Sequence, residues 1–188
     1  MENQQPIRPY DCTRDFIKFY DQYYDKVYRY VYVKVGNGWD TDDIVSDIFR
    51  KAYEKYATVK RNHASWLFTI ARNTIVDFYW QKKKNLLQAA TGKDEEAYMS
   101  QYIYLFSFNS FEEDAEDELE RKEILSCLKK SLACLEHEEL ELISLKYFAD
   151  MKYHDIGLLF NKSSDSVKMK TLRIIRKLKV LLAKCLEE

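Results

Sequence analysis

The stretch YHDIGLLFNKSSDSVKMKTLRIIRKLKVLL (153–182) decides the fold. Its first eight residues, Tyr153 to Phe160, have the spacing of a short amphipathic helix. Asn161-Lys162-Ser163 is a tight connection, in which asparagine tolerates a positive φ. Ser163 or Ser164 can cap the helix that follows. That helix is strongly basic, with Lys168, Lys170, Arg173, Arg176, Lys177, Lys179 and Lys184 set against Asp165 near its start. Two helices joined by a short turn, the second basic, form a helix-turn-helix. Polar residues at the start of the second helix can reach base edges in a DNA major groove. Lysines and arginines farther along neutralise phosphates. The same residues would also suit a solvated helix in an ordinary bundle, so the rest of the chain has to arbitrate.

Upstream, the pattern remains helical. Phe16, Tyr20, Tyr23, Tyr24, Val27, Tyr28 and Val31 recur at three- and four-residue steps, which predicts a helix over 14–35. Gly36-Asn37-Gly38 ends it, because glycine takes the left-handed conformation that a helix C-terminus needs. A second helix is expected from Asp40-Thr41, where either residue can cap and Asp42 and Asp43 favour the positive end of the helix dipole. Its apolar stripe is Ile44, Val45, Ile48, Phe49, Ala52, Tyr53 and Tyr56. Residues 57–65 (ATVKRNHAS) break the period and read as a polar, basic loop. A third helix is expected over 65–84, with Trp66, Leu67, Ile70, Ala71, Ile75 and Phe78 on one face and Arg72, Asn73 and Gln81 on the other. Trp66, Phe78, Tyr79 and Trp80 beside Arg72 and the run Lys82-Lys83-Lys84 suit single-stranded or distorted DNA, since bases stack on aromatic faces while cations hold the backbone. The plain alternative places those aromatics in the core.

Residues 85–111 lose clear periodicity and read as linker, aromatic at 98–108 (YMSQYIYLFSF). An acidic run from Glu112 to Glu123 then leads into a helix through Ile124, Leu125, Leu128, Leu132 and Leu135, followed by helices over 136–149, 152–160 and 164–185.

Composition supports this reading. With only 4 glycines and 2 prolines in 188 residues, the chain lacks the turn residues of a sheet-rich fold. A hydrophobic content of 46% is enough for packed cores and excludes a disordered chain. The net charge of −1 makes any nucleic-acid surface a matter of local patches. Cys12, Cys127, Cys134 and Cys185 are scattered without metal-ligand spacing and read as reduced thiols of a cytosolic protein. Cys127 and Cys134, a heptad apart, read as packing residues. No metal or cofactor site is expected. No apolar run is long enough to span a bilayer and no signal peptide is read, so a cytoplasmic protein without membrane insertion is expected.

Three blocks resemble the extracytoplasmic-function sigma factors of bacterial RNA polymerase. DTDDIVSDIFRKAYEKY (40–56) resembles their region 2.2, SWLFTIARNTIVDFYWQKKK (65–84) their regions 2.3 and 2.4, and LEHEELELISLKYFADMKYHDIGLLFNKSSDSVKMKTLRIIRKLKVLL (135–182) their region 4. The blocks stand in the family's order and spacing. The resemblance implies an all-α fold: two small helical domains joined by a linker, the second a four-helix domain with a helix-turn-helix. The boundaries are 10–84, 85–120 and 121–188. It also implies a non-enzymatic protein that binds core RNA polymerase and directs transcription initiation at promoter DNA, with an anti-sigma factor as a further partner. Asp43, Ile44, Asp47, Ile48 and Phe49 would dock on the polymerase. Arg61, Asn62, His63, Arg72, Asn73, Asp77, Lys82, Lys83 and Lys84 would engage the −10 element. Ser164, Asp165, Ser166, Lys168, Lys170, Arg173, Arg176 and Lys177 would read the −35 element. Residues 85–120 would thread past the polymerase active-site channel. The chain departs from the family pattern at Asn161, where many members have glycine, at Lys162, where an apolar residue usually packs, and at Thr171-Leu172, where the apolar and polar order is changed.

Two other classes compete. A conventional regulator with a helix-turn-helix gives no account of the 40–84 pattern. A metal-dependent helical enzyme would need Asp40, Asp42, Asp43 and Asp47 to converge, but residues at a helix start cannot all face one point, and no nucleophile-and-base set accompanies them.

Overall fold

The computed structural model describes residues 9–87 and 119–187, and every described segment of regular structure is helical. In chain order these are α1 (Pro9–Val35), α2 (Gly38–Lys55), α3 (His63–Leu87), α4 (Leu119–Ala133), α5 (His137–Ile143), α6 (Tyr153–Phe160) and α7 (Ser164–Leu186). A single 3₁₀ turn, Tyr56–Thr58, follows α2, and a π-helical turn, Ser144–Phe148, continues α5. The expected linker and acidic run, between 88 and 118, lie outside the described residues.

Local chemistry sets the corners. Gly36 ends α1 at φ 82°, in the left-handed region. The cap of α2 differs from expectation. Asn37, rather than Asp40 or Thr41, accepts the Asp40 N–H at 2.9 Å, and α2 begins two residues early at Gly38. Asp40 is already inside the first turn, where it meets the Asn37 amide at 2.9 Å and Lys82 at 3.4 Å. The hydroxyl of fully buried Thr41 donates to the Asn37 carbonyl at 2.7 Å. The third helix also starts early, at His63, after Asn62 turns at φ 58°.

The first half is held by aromatic packing. Phe19 lies at its centre, 4.9 Å from the Tyr23 ring, 5.1 Å from Tyr56 and 6.5 Å edge-on from Phe49. Phe16 packs edge-on against Tyr53 and Tyr56 at 5.0 and 5.2 Å. Such contacts each add about 0.5–1.5 kcal/mol beyond the area they bury. Tyr79 belongs to this interior, its hydroxyl donating to the Lys34 carbonyl at 2.6 Å, whereas Trp80 on the same helix is 44% exposed. Trp66 and Phe78 are partly buried against the core.

The second half wraps α4 and α5 around the helix-turn-helix of α6 and α7. Its cysteines depart from expectation. Cys127 on α4 and Cys185 at the end of α7 form a disulfide across 58 residues, and Cys134 is exposed rather than packed. The spacing within one helix said nothing of this bond, because the partner comes from another helix.

The two halves share one hydrophobic cluster, in which Val27, Val31, Leu67 and Phe68 of the first half join Leu142, Leu145 and Ile156 of the second. α3 packs on α6, and α1 packs on the π-helical turn. Among the described residues, every buried polar side-chain atom has a hydrogen-bond partner.

Candidate nucleic-acid interface

The helix-turn-helix corner is built by three residues. Asn161 closes α6 at φ 53°, and the Lys162 N–H reaches back to the Gly157 carbonyl at 2.8 Å. Ser163 then caps α7 by accepting the Ser166 N–H at 3.2 Å. Gly157 makes the corner possible, because a Cβ there would stand 2.5 Å from the backbone oxygen of Lys162. Sequence reading passed over this glycine, since in a short helix it looks like any small residue.

α7 buries Val167, Thr171 and Ile174 against the domain. Thr171 is accommodated because its hydroxyl donates to the Val167 carbonyl at 2.8 Å. This face sets the helix's rotation. Ser164, Asp165, Ser166, Lys168, Arg173 and Arg176 are exposed. Lys170 instead pairs with Glu138 of α5 at 2.7 Å, and Lys177 with Glu139 at 2.7 Å. Lys162 also pairs with Glu138, at 2.5 Å, which explains a lysine at a position expected to be apolar. Hydrogen bonds from Lys162 and Lys170 hold the Glu138 carboxyl down at about 2. Lys170 and Lys177 therefore brace α7 on its own domain, while Lys168, Arg173 and Arg176 point outward with Met169 and Leu172.

In the first half, Arg61 and Asn62 stand exposed in the turn before α3. His63 is half-buried beside Phe19 and Tyr56, at ring distances of 6.0 and 5.8 Å. Arg72 and Asn73 lie exposed on α3, and Lys84 is exposed near its end. Lys82 is partly covered, close to Asp40 and 5.4 Å above the Phe78 ring. Lys83 lies on the same helical turn. Asp77 faces elsewhere, 3.8 Å from Lys51, toward α2.

α2 and α3 enclose a groove of about 400 Å³ lined by Asp43, Asp47, Lys51, Asp77, Trp80 and Gln81. Asp47 bonds Arg50 at 2.5 Å and Lys51 at 2.8 Å. Partial burial pushes its carboxyl up, but the hydrogen bonds from Lys51 and Arg50 outweigh burial and hold it below the usual carboxylate range. Asp43 is exposed. Ile44, Ile48 and Phe49, expected on a docking face, are 3%, 0% and 5% exposed and hold α2 against α1 and α3. Four-residue spacing found the right helix stripe, but that stripe faces inward. The residues beside Asp43 and Asp47 on the outward face are Ser46, Arg50, Tyr53 and Glu54.

Among the described residues, no group of three or more His, Cys, Asp or Glu side chains could hold a metal ion. No described helix is long and apolar enough to cross a membrane.

Comparison with known proteins places this arrangement. The model of sigma-70 region 2 matches residues 19–85. The ECF RNA polymerase sigma factor BldN of Streptomyces coelicolor is 27% identical over 170 residues, covering 89% of this chain and 60% of BldN. The chain thus spans less than two thirds of that relative. The ECF RNA polymerase sigma factor SigW of Bacillus subtilis is 26% identical over 160 residues, covering 84% of this chain and 83% of SigW. The fold is similar to that of the sigma factor RpoE from Bartonella quintana, solved in complex with the anti-sigma factor NepR. That likeness has a TM-score of 0.59 at 20% identity and covers 90% of this chain and 98% of RpoE.

Proposed function

Because the chain belongs to the extracytoplasmic-function family of RNA polymerase sigma factors, we propose that it binds core RNA polymerase in the cytoplasm and directs initiation by engaging −10 and −35 promoter elements. Residues 10–84 act as region 2, 121–188 as region 4, and 85–120 as the linker between them. The observation that carries the reading is the outward face of α7, where Ser164, Ser166, Lys168, Arg173 and Arg176 are exposed while Lys170 and Lys177 are tied to the domain. A polar helix start followed by outward cations suits a major groove, with base edges read by the first turn and phosphates held by the rest.

The −10 element falls to the turn and helix bearing Arg61, Asn62, Arg72 and Asn73, with Lys84 on the flanking backbone. Exposed Trp80 offers a stacking face for an unpaired base. Asp77, placed among −10 contacts by the sequence, shares the α2–α3 groove with Asp43 and Asp47 and suits the polymerase-docking side instead. A carboxylate there would repel phosphate but attract a basic partner surface. An anti-sigma factor that covers these faces is part of the proposal, by analogy with the RpoE complex with NepR.

Run-off transcription with core polymerase on a genomic fragment library tests the reading. It is supported by initiation at a recurring promoter sequence, and by co-purification with core polymerase in preference to duplex DNA alone. Tight duplex binding by a dimer that ignores polymerase would replace it with the conventional-regulator reading.

A further inference from the structure

The outward face of α7 is apolar at its centre. Successive residues of a helix turn by about 100°, so Met169 stands about 170° round from the mean direction of buried Val167, Thr171 and Ile174. Met169 is 52% exposed, and Leu172, one turn on and about 60° to one side, is 42% exposed. Around these two the face is charged. Arg173 and Arg176 flank Met169 within about 40° on either side, and Lys168 borders Leu172.

Residues 171 and 172 stand in the reverse of the order that burial alone would select. Thr171 is fully buried, and its hydroxyl is satisfied by the Val167 carbonyl at 2.8 Å. Leu172 beside it faces water. Single exposed apolar residues are ordinary on any surface. Two at the centre of one face, ringed by cations and within about 12 Å of the helix start, form a small contact patch inside a basic rim. Neither side chain can donate a hydrogen bond, so neither holds a phosphate or reads the acceptors of a base edge.

The charge around the patch selects its occupant. Exposed Lys168, Arg173 and Arg176 favour a polyanion over an apolar protein surface. In a DNA major groove, the first turns of a recognition helix face the base edges. Every edge carries donors or acceptors, and thymine alone adds an apolar group, its C5-methyl. Val180 lies on the same stripe and is 57% exposed, but it stands about 16 Å beyond Met169, more than the groove's width of about 12 Å.

We propose that Met169 and Leu172 read thymine in the −35 element, packing against C5-methyl groups on the same or neighbouring base pairs while the surrounding cations hold the duplex. The inference rests on the promoter reading above and specifies what this helix selects: at least one T·A pair whose methyl faces the middle of α7.

The test uses the full chain bound to core polymerase, and duplexes carrying the promoter recovered by run-off transcription. Each thymine of the −35 element, on either strand, is replaced in turn by deoxyuridine, which keeps the base pair and removes only the methyl. One or two of these replacements should weaken binding about fourfold each, the effect of losing one buried methyl. Met169→Ala should weaken binding to the thymine duplex by a similar factor and abolish the deoxyuridine effect at its own position. Leu172→Ala should do the same at its own. Both residues are exposed, so helicity should be unchanged. Val180→Ala should leave affinity and the deoxyuridine profile as in the wild type. Four results overturn the methyl reading: a −35 element without thymine on either strand, deoxyuridine tolerated at every position, a deoxyuridine effect equally large in Met169→Ala and Leu172→Ala, or a profile that Val180→Ala flattens as much as they do. Any of these with wild-type initiation intact sinks the methyl reading alone. A holoenzyme that starts nowhere on the fragment library overturns the sigma-factor reading and the methyl reading with it.

Discussion

The two halves of the chain are stabilised by different forces. α1, α2 and α3 are held by interlocking aromatic rings around Phe19, with few charges inside. The helix-turn-helix half is held by a backbone corner, a disulfide and a fan of surface carboxylates, where Glu138 and Glu139 grip Lys162, Lys170 and Lys177. The contrast fits the work proposed for each. A surface that receives an unpaired base benefits from a rigid apolar floor. A helix that must enter a groove at a fixed rotation is orientated by directional contacts to its inner face. The same carboxylates divide the cations of α7 into those that brace the helix and those left exposed, such as Lys168, Arg173 and Arg176.

The sharpest way to break the comparison is Phe19→Ala. Removing the ring at the centre of the first half should cost about 3–5 kcal/mol, measured by denaturant unfolding. A loss below about 1 kcal/mol would show that the aromatic cluster is not what holds that half. Gly157→Ala should cost about 1–3 kcal/mol, since the added Cβ meets backbone that can move little. Its effect should concentrate on duplex binding by the second half, and hydrogen exchange would localise it to α6 and α7.

Arg173→Ala and Lys170→Ala test the division of cations. Arg173 points outward, and its loss should weaken −35 duplex binding by about 1–3 kcal/mol if it reads a base, or lower the salt dependence uniformly across sequences if it holds a phosphate. Lys170→Ala should leave DNA binding nearly unchanged and lower the domain's stability slightly. Asn73→Ala should impair −10 opening, seen by permanganate reactivity of unpaired thymines, without affecting duplex binding.

The smallest effect is acid sensitivity. Glu138 is held at about 2 against 4.5 for an ordinary glutamate, so the unfolded chain takes up its proton first as pH falls. Its contribution is complete above about pH 4.5 and fades as pH falls toward about 2. Because the pair is exposed, that contribution is below about 1 kcal/mol. Glu138→Gln should remove the corresponding part of the pH dependence between those limits, and thermal melts across that range would show it.

Much of this was legible in the residues. Periodicity located every described helix to within a few positions, because an amphipathic stripe is a property of the chain itself. The corner at Asn161 and the cap at Ser163 could be read for the same reason, since positive φ and N-terminal capping are local chemistry. The outward identities on α7 were less legible. Seven basic residues on one helix look alike until Val167, Thr171 and Ile174 fix which side is buried. On α2 the apolar stripe was found, but only packing shows that Ile44, Ile48 and Phe49 face inward.

The sequence by itself determined the helices, their order, the helix-turn-helix and the resemblance to a family. Only the tertiary structure paired Cys127 with Cys185, set Glu138 on Lys170, and brought Lys34 to Glu141 across 107 residues. The first group depends on contacts within a few residues, which spacing encodes. The second depends on which helix faces lie together in space, and a single chain of letters carries no distance between positions so far apart.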